Sequence, residues 1–307
     1  MKHLNAINAL VKRCIKSGEN IEMDMDNFDW MSGVGLYGLY KLSKDEALLK
    51  VCKDMAEFVV NDAARTTEGG LEHTVTRHGH PGFATPFFHE QIWADTLFMA
   101  CIFLADMYKV TGEAKYRDEA IHQLTLHHNR LRDENTGVFY HGYNFEEGGW
   151  MSGALWARAN AWITVATFEI IDIIGEDFAE KEAIISSVNR QIKQLSTYQR
   201  ENGMFGTLLD HEDSYDESSA TAGFAAGVIH GVKLGYVDDV FVSKLARRAI
   251  DAILPLINSQ GELEQVSGGT PIMPTVNRYK DIPIIPTLYG QGLALMALAR
   301  DNCIMVR

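Results

Sequence analysis

Residues 155–174 read LWARANAWITVATFEIIDII, followed by GED at 175–177 and FAEKEAIISSVNRQIKQLSTYQ at 178–199. The first run is apolar or small nearly all round, which predicts a helix enclosed by protein. Gly175-Glu176-Asp177 interrupts it with a polar hinge. The second run mixes polar and apolar residues at helical spacing, which predicts a helix with one face in water. Together they make a hairpin of one buried and one half-exposed helix.

The same plan recurs outward in both directions. Small-residue helices are predicted over roughly 28–42, 90–110 and 217–234, with amphipathic partners over 45–63, 114–131 and 239–257. The hinges between them are Ser43–Glu46, Thr111–Ala114 and Gly235–Asp238. A last small-residue helix, 288–300, can pair with the N-terminal one. Alternating buried and half-exposed helices imply two concentric rings, so the expected fold is all-α: an α/α toroid of helical hairpins, about five by this count. Strands are scarce, with short ribbons predicted only at 136–141 and 203–209. The long connections 64–89, 132–154, 200–216 and 258–287 are dense in Gly, His, Trp, Tyr and acidic residues. Long loops of that kind commonly carry function.

The 307-residue chain can bury a large core without disulfides or metal. No linker-like or low-complexity stretch divides it, so one domain, 1–307, is expected. The net charge of -13 argues against nucleic acid and anionic membranes as partners. It would also repel an anionic sugar at long range, so such a substrate must meet a local cation. The four cysteines, Cys14, Cys52, Cys101 and Cys303, lie apart in apolar segments without metal-ligand spacing, which suggests reduced thiols in a cytoplasmic protein. The N-terminal MKHLNAINALVKRCIKSGEN is amphipathic, with Ile7, Leu10, Val11, Cys14 and Ile15 on one face, and does not resemble a signal peptide.

Four clusters could carry chemistry. Asp95 opens an apolar helix next to Ile92, Leu97, Phe98 and Met99. Burial there would raise its pKa and keep a proton available for general-acid work, unless it serves only the helix dipole. His141, in a turn-and-strand segment, could bind a ligand or move a proton. Arg158 lies in a helix expected to be buried and needs an anion, either a sugar carboxylate or an internal acid. Trp156 and Trp162 flank it and could stack on sugar rings or simply fill the core. Asp29, beside Trp30, is either a helix cap or a second carboxylate. His73, His78, His80 and His89 match no zinc spacing, so neither metal nor cofactor is expected.

Taken in order, WMSGVGLYGLY (30–40), TEGGLEH (67–73), QIWADTLFMA (91–100), GVFYHG (137–142), WARANAW (156–162), YQRENGMF (198–205), DSYDESSATA (213–222) and YGQG (289–292) resemble glycoside hydrolase family 105, the unsaturated rhamnogalacturonyl hydrolases. The likeness to family 88, the unsaturated glucuronyl hydrolases, is more distant. The resemblance implies an (α/α)6 barrel, one hairpin more than counted here. It implies removal of a terminal 4,5-unsaturated uronic acid from small oligosaccharides made by a lyase, through protonation of C4 and hydration of C5. The acid/base of the family's Trp-x-Asp motif falls on Asp95, with Trp93 preceding it. His141, Trp156, Arg158 and Trp162 fall on substrate contacts, and His89 and Trp30 are further candidates. The family's second carboxylate aligns with Asp29 in one of two alignments. Two other readings are an α/α-barrel sugar epimerase, which needs facing histidines on inner helices, and a sugar-binding relative without catalysis.

Overall fold

The computed structural model describes residues 5–6, 46–73 and 89–304. The predicted helix 28–42, with Asp29 and Trp30, and the residues Cys14, His78 and His80 lie outside them.

Among the described residues, four helices form the inner wall: α2 (Ile102–Thr111), α4 (Ala157–Ile174), α6 (Ser218–Lys233) and α8 (Leu288–Ile304). Outside them lie α1 (Glu46–Asn61), α3 (Ala114–Leu131) and α5 (Lys181–Tyr198). The last outer element is a π-turn at Val242–Ala246 that runs into α7 (Arg247–Ile253) and a 3-10 turn, Leu254–Leu256. Neighbouring inner helices pack side by side in the order α2, α4, α6, α8, and α2, α4 and α6 each lie against the outer element that follows. This is the two-ring plan of an α/α toroid. Among the described residues, no helix is long and apolar enough to cross a membrane.

Sequence explains the division. On α5 the buried side chains Ile184, Val188, Ile192 and Leu195 recur every three or four residues, while Lys193 and Arg190 face outward. On α4, α6 and α8 small residues let backbones approach. A Cβ at Gly223 would sit 2.8 Å from Ala161 Cβ, and one at Gly227 would sit 3.1 Å from the Thr164 backbone. Gly231 continues that stripe against Phe168. The α4–α6 contact is therefore specified by glycine at every fourth position of α6.

Two predicted boundaries need correction. Residues 91–93 are a strand rather than the first turn of an inner helix. The chain becomes helical at Asp95 and passes through a π-turn, Leu97–Cys101, before α2. Strand β1 (Gln91–Trp93) pairs antiparallel with β2 (Gly142–Asn144), which pairs with β3 (Gly149–Trp150). The predicted 136–141 ribbon is thus displaced by a few residues. The second ribbon is β4 (Phe205–Gly206) paired with β5 (Asp216–Glu217).

Two histidines on α3 are sealed between the rings. His128 contacts Ser187 Oγ at 3.0 Å and Thr167 Oγ1 at 2.9 Å, and His127 Nδ1 meets the Gln123 carbonyl at 2.7 Å. Burial disfavours their charged forms and lowers the pKa of His127 to about 4 and that of His128 to about 3. Below the ordinary value of 6.5 the unfolded chain binds protons that the fold excludes. Stability is therefore full above that pH and falls as the pH drops toward 3, by an amount on the order of several kcal/mol for the pair. Urea midpoints should be clearly lower at about pH 4.5 than at about pH 7.5; equal midpoints would contradict this picture.

Candidate active site

The rim where the inner helices begin gathers Asp95, His141, Trp156 and Arg158. The sheet register pairs Trp93 with Gly142, and the Ala94 amide donates to the His141 carbonyl at 2.9 Å. The chain then turns into helix at Asp95, which brings its carboxylate beside the His141 ring. His141 Nε2 lies 3.1 Å from Asp95 Oδ2, and His141 Nδ1 lies 2.8 Å from the Tyr279 hydroxyl. Asn160, from α4, holds this strand in place. Its side chain accepts from the Phe139 amide and donates to the Phe139 carbonyl, both at 2.8 Å. Gly142 is required by the packing, since a Cβ there would lie 2.2 Å from Ile272 Cδ1 and 3.0 Å from the Ile92 carbonyl.

The preceding turn is locked as well. Glu90 has a positive φ of 54°, unusual for a side-chain-bearing residue. Its amide donates to Glu72 at 2.8 Å, and its own carboxylate accepts from the Thr67 amide at 2.9 Å. These bonds tie the 66–72 turn to β1 and offset the backbone strain.

His141 is fully buried, and Asp95 keeps 15% of its side chain exposed, so the carboxyl is the accessible member of the pair. Burial alone would raise the Asp95 pKa, as the sequence suggested. The His141 hydrogen bond and the neighbouring His141, His73 and Arg158 groups outweigh burial and hold it below the ordinary carboxylate range. The expectation of an acid protonated in the resting protein is therefore corrected: Asp95 rests as a carboxylate. Burial holds His141 below the usual imidazole range, and burial lowers His73 to about 4, so both rings are neutral near pH 7.

Aromatic rings wall the pair. Trp93 stacks on His73 with centroids 3.9 Å apart and planes 8° from parallel. His141 packs edge-on to Trp93 at 5.3 Å and against Trp156 at 4.2 Å. Arg158 lies over Trp156 at 4.5 Å and over Tyr289 at 4.7 Å. The sugar-stacking surfaces expected of Trp156 and Trp162 are not open. Each is 1% exposed, Trp156 between His141 and Arg158, and Trp162 against Phe98 at 4.5 Å.

Arg158 is 2% exposed. Nη1 donates to the Ser267 carbonyl at 2.7 Å and to the Ser267 hydroxyl, while Nη2 donates to the Gly268 carbonyl at 2.8 Å and Thr270 Oγ1 at 2.9 Å. Its counter-ion is the buried Glu217, at 3.8 Å. Glu217 also caps α6 through the Ala220 amide at 2.6 Å and accepts from the Ser267 amide at 2.9 Å. Of the two anions weighed for Arg158, the internal one is thus found. The guanidinium fork already grips the 267–270 loop, so a substrate carboxylate meets its charge rather than a vacant fork.

His89 stands apart from this group, with its side chain 62% exposed and Nδ1 3.1 Å from Glu72. Among the described residues, no three His, Cys, Asp or Glu side chains are placed to hold a metal ion. Sequence reading missed Tyr279, Tyr289, Glu217 and the partnership of His73 with Trp93. Tyr289 and Glu217 lie inside stretches that already stood out, YGQG and DSYDESSATA. Tyr279 lies in the long 258–287 connection, where nothing local marks its role.

The model for Glycosyl Hydrolase Family 88 matches residues 1–302. The unsaturated rhamnogalacturonyl hydrolase YesR of Bacillus subtilis is 33% identical over 268 residues, 87% of this chain and 74% of that protein. Among solved structures, a possible member of the GH105 family from Klebsiella pneumoniae matches with a TM-score of 0.81 and 31% identity, over 89% of this chain and 70% of that one. Another possible GH105 member, from Salmonella enterica, matches with a TM-score of 0.81 and 27% identity, over 97% of this chain and 94% of that one.

Proposed function

From the membership of this chain in glycosyl hydrolase family 88, we propose that it removes a terminal 4,5-unsaturated uronic acid from small, lyase-generated oligosaccharides, with Asp95 as acid and base. The observation that carries this reading is the Asp95–His141 pair at the rim, whose carboxyl is the accessible member.

In the resting protein Asp95 is ionised. A bound uronate brings a second negative charge and displaces water, and both changes favour the protonated carboxyl. Asp95 then delivers its proton to C4 of the vinyl ether, and positive charge develops at C5 and the ring oxygen. The carboxylate so formed takes a proton from water as the oxygen of that water bonds to C5. The resulting hemiketal opens, and the shortened partner leaves. Arg158 supplies the positive field for the uronate carboxylate, and its hydrogen bonds hold the 267–270 loop. Trp93, Trp156 and Trp162 shape the walls as packed rings. Asp29 and Trp30 complete the site in the proposal, as second carboxylate and neighbouring ring, and His89 contributes from its edge. The site of action is proposed to be cytoplasmic, on fragments already shortened by a lyase.

A panel of unsaturated disaccharides, rhamnose-linked and glucuronyl, tests the reading through the ultraviolet absorbance of the alkene. At least one member should lose that absorbance in step with release of its partner sugar. Binding seen by thermal shift, with no absorbance lost on any member, would point to a sugar-binding relative instead. A product isomeric with its substrate would point to an epimerase.

A further inference from the structure

His141 has no exposed surface, and among the described residues each of its ring nitrogens faces a single polar neighbour. Burial holds it neutral, so the ring carries one proton, on either Nδ1 or Nε2. The two neighbours select between them. Ionised Asp95 can only accept, which requires the proton at Nε2. On the other side the Tyr279 hydroxyl lies 2.8 Å from Nδ1 and 3.3 Å from Ser152 Oγ. With the ring proton at Nε2, bare Nδ1 can only accept, so the phenol turns its own proton to it. That proton points to the stronger base at shorter range, Nδ1 at 2.8 Å. Burial raises the Tyr279 pKa to about 12, so the phenol retains its proton at any working pH.

We propose that Tyr279 is a positioning residue: its phenolic proton pins His141 as the Nε2–H tautomer, so that Asp95 Oδ2 always accepts and the catalytic proton is carried on Oδ1. This rests on Asp95 being the acid, as proposed above. With the other tautomer, a protonated Asp95 would donate from Oδ2 to the bare Nε2, and its proton would be held against the imidazole instead of being offered to substrate. The phenol therefore acts through His141 on the choice between the two oxygens of one carboxyl. It reaches the site from the 3-10 turn Val276–Asp281, in the long loop that also carries Ser267 and Thr270.

Nitrogen-15 NMR of histidine-labelled protein, without substrate, reads the tautomer directly. The wild type should show His141 protonated at Nε2 alone. Tyr279→Phe keeps the ring and removes the donor. In the native background it should lower kcat by at least about 10-fold on the unsaturated disaccharide that the wild type turns over, with a KM within about twofold of wild type; in the Asp95→Asn background, whose amide can accept or donate, it should turn a single Nε2–H signal into a mixture of tautomers. An Nδ1–H tautomer in the wild type overturns the proposal whether or not the variant folds. A kcat loss in Tyr279→Phe with the Nε2–H signal undivided in the Asp95→Asn background assigns the residue to packing and overturns it as well. The tautomer is read without turnover, so failure of the hydrolase reading, seen as no activity in the wild type, is a separate result.

Discussion

Asp95→Asn should slow alkene consumption by about 10²–10⁴-fold or more, with little change in melting temperature. The amide is nearly isosteric and still accepts from His141 Nε2 through its carbonyl oxygen, so the geometry at 3.1 Å can persist. What it loses is the proton for C4 and the base for water. Two steps depend on the one carboxyl, so the loss should appear in kcat more than in KM. Steady-state rates across a range of substrate concentrations, alongside thermal denaturation of both proteins, check this. A variant within about threefold of wild type would remove Asp95 from the chemistry.

Arg158→Met should be the most damaging substitution for stability, at about 3–5 kcal/mol. The methionine fills much of the space but donates nothing to Ser267, Gly268 or Thr270, and it leaves the Glu217 carboxylate facing no cation in a site with no exposure. Because Glu217 also caps α6 and accepts from the Ser267 amide, the damage should spread to the 267–270 loop. Arg158→Lys keeps the charge without the fork and should fall between the two. Urea denaturation measures the cost. A Met variant as stable as wild type would mean that Arg158 is held for substrate alone.

The ring plan was legible because burial writes itself into composition: α4 and α6 are apolar or small on every side, while α5 is not. The Gly223, Gly227, Gly231 stripe and the polar hinges carried the same message. The start of α2 was misjudged for a local reason. Ile92 and Trp93 are apolar and suit a buried strand as well as a helix, and only pairing with 142–144, far along the chain, decides for strand. Within the site, Asp95, His141 and Arg158 are conspicuous because each is a polar group in apolar surroundings. Their protonation and partners depend on contacts from distant segments: His73 from the 66–73 turn, Tyr279 and Ser267 from the 258–287 loop, Glu217 from the start of α6. No local pattern states that His141, His73 and Arg158 together would pull Asp95 down harder than burial pushes it up. For the same reason the tryptophans read equally as stacking faces or as core: only the neighbouring rings, His141 and Phe98, decide that they are covered.

The most direct test gives the wild type two disaccharides identical except at the terminal uronic acid, one 4,5-unsaturated and the other saturated. If Asp95 protonates an alkene, the unsaturated compound should lose its absorbance and release its partner sugar in equal amounts while the saturated one stays whole. Comparable cleavage of the saturated compound would mean that the enzyme attacks the glycosidic carbon in the ordinary way, and that Asp95 does not act by protonating C4.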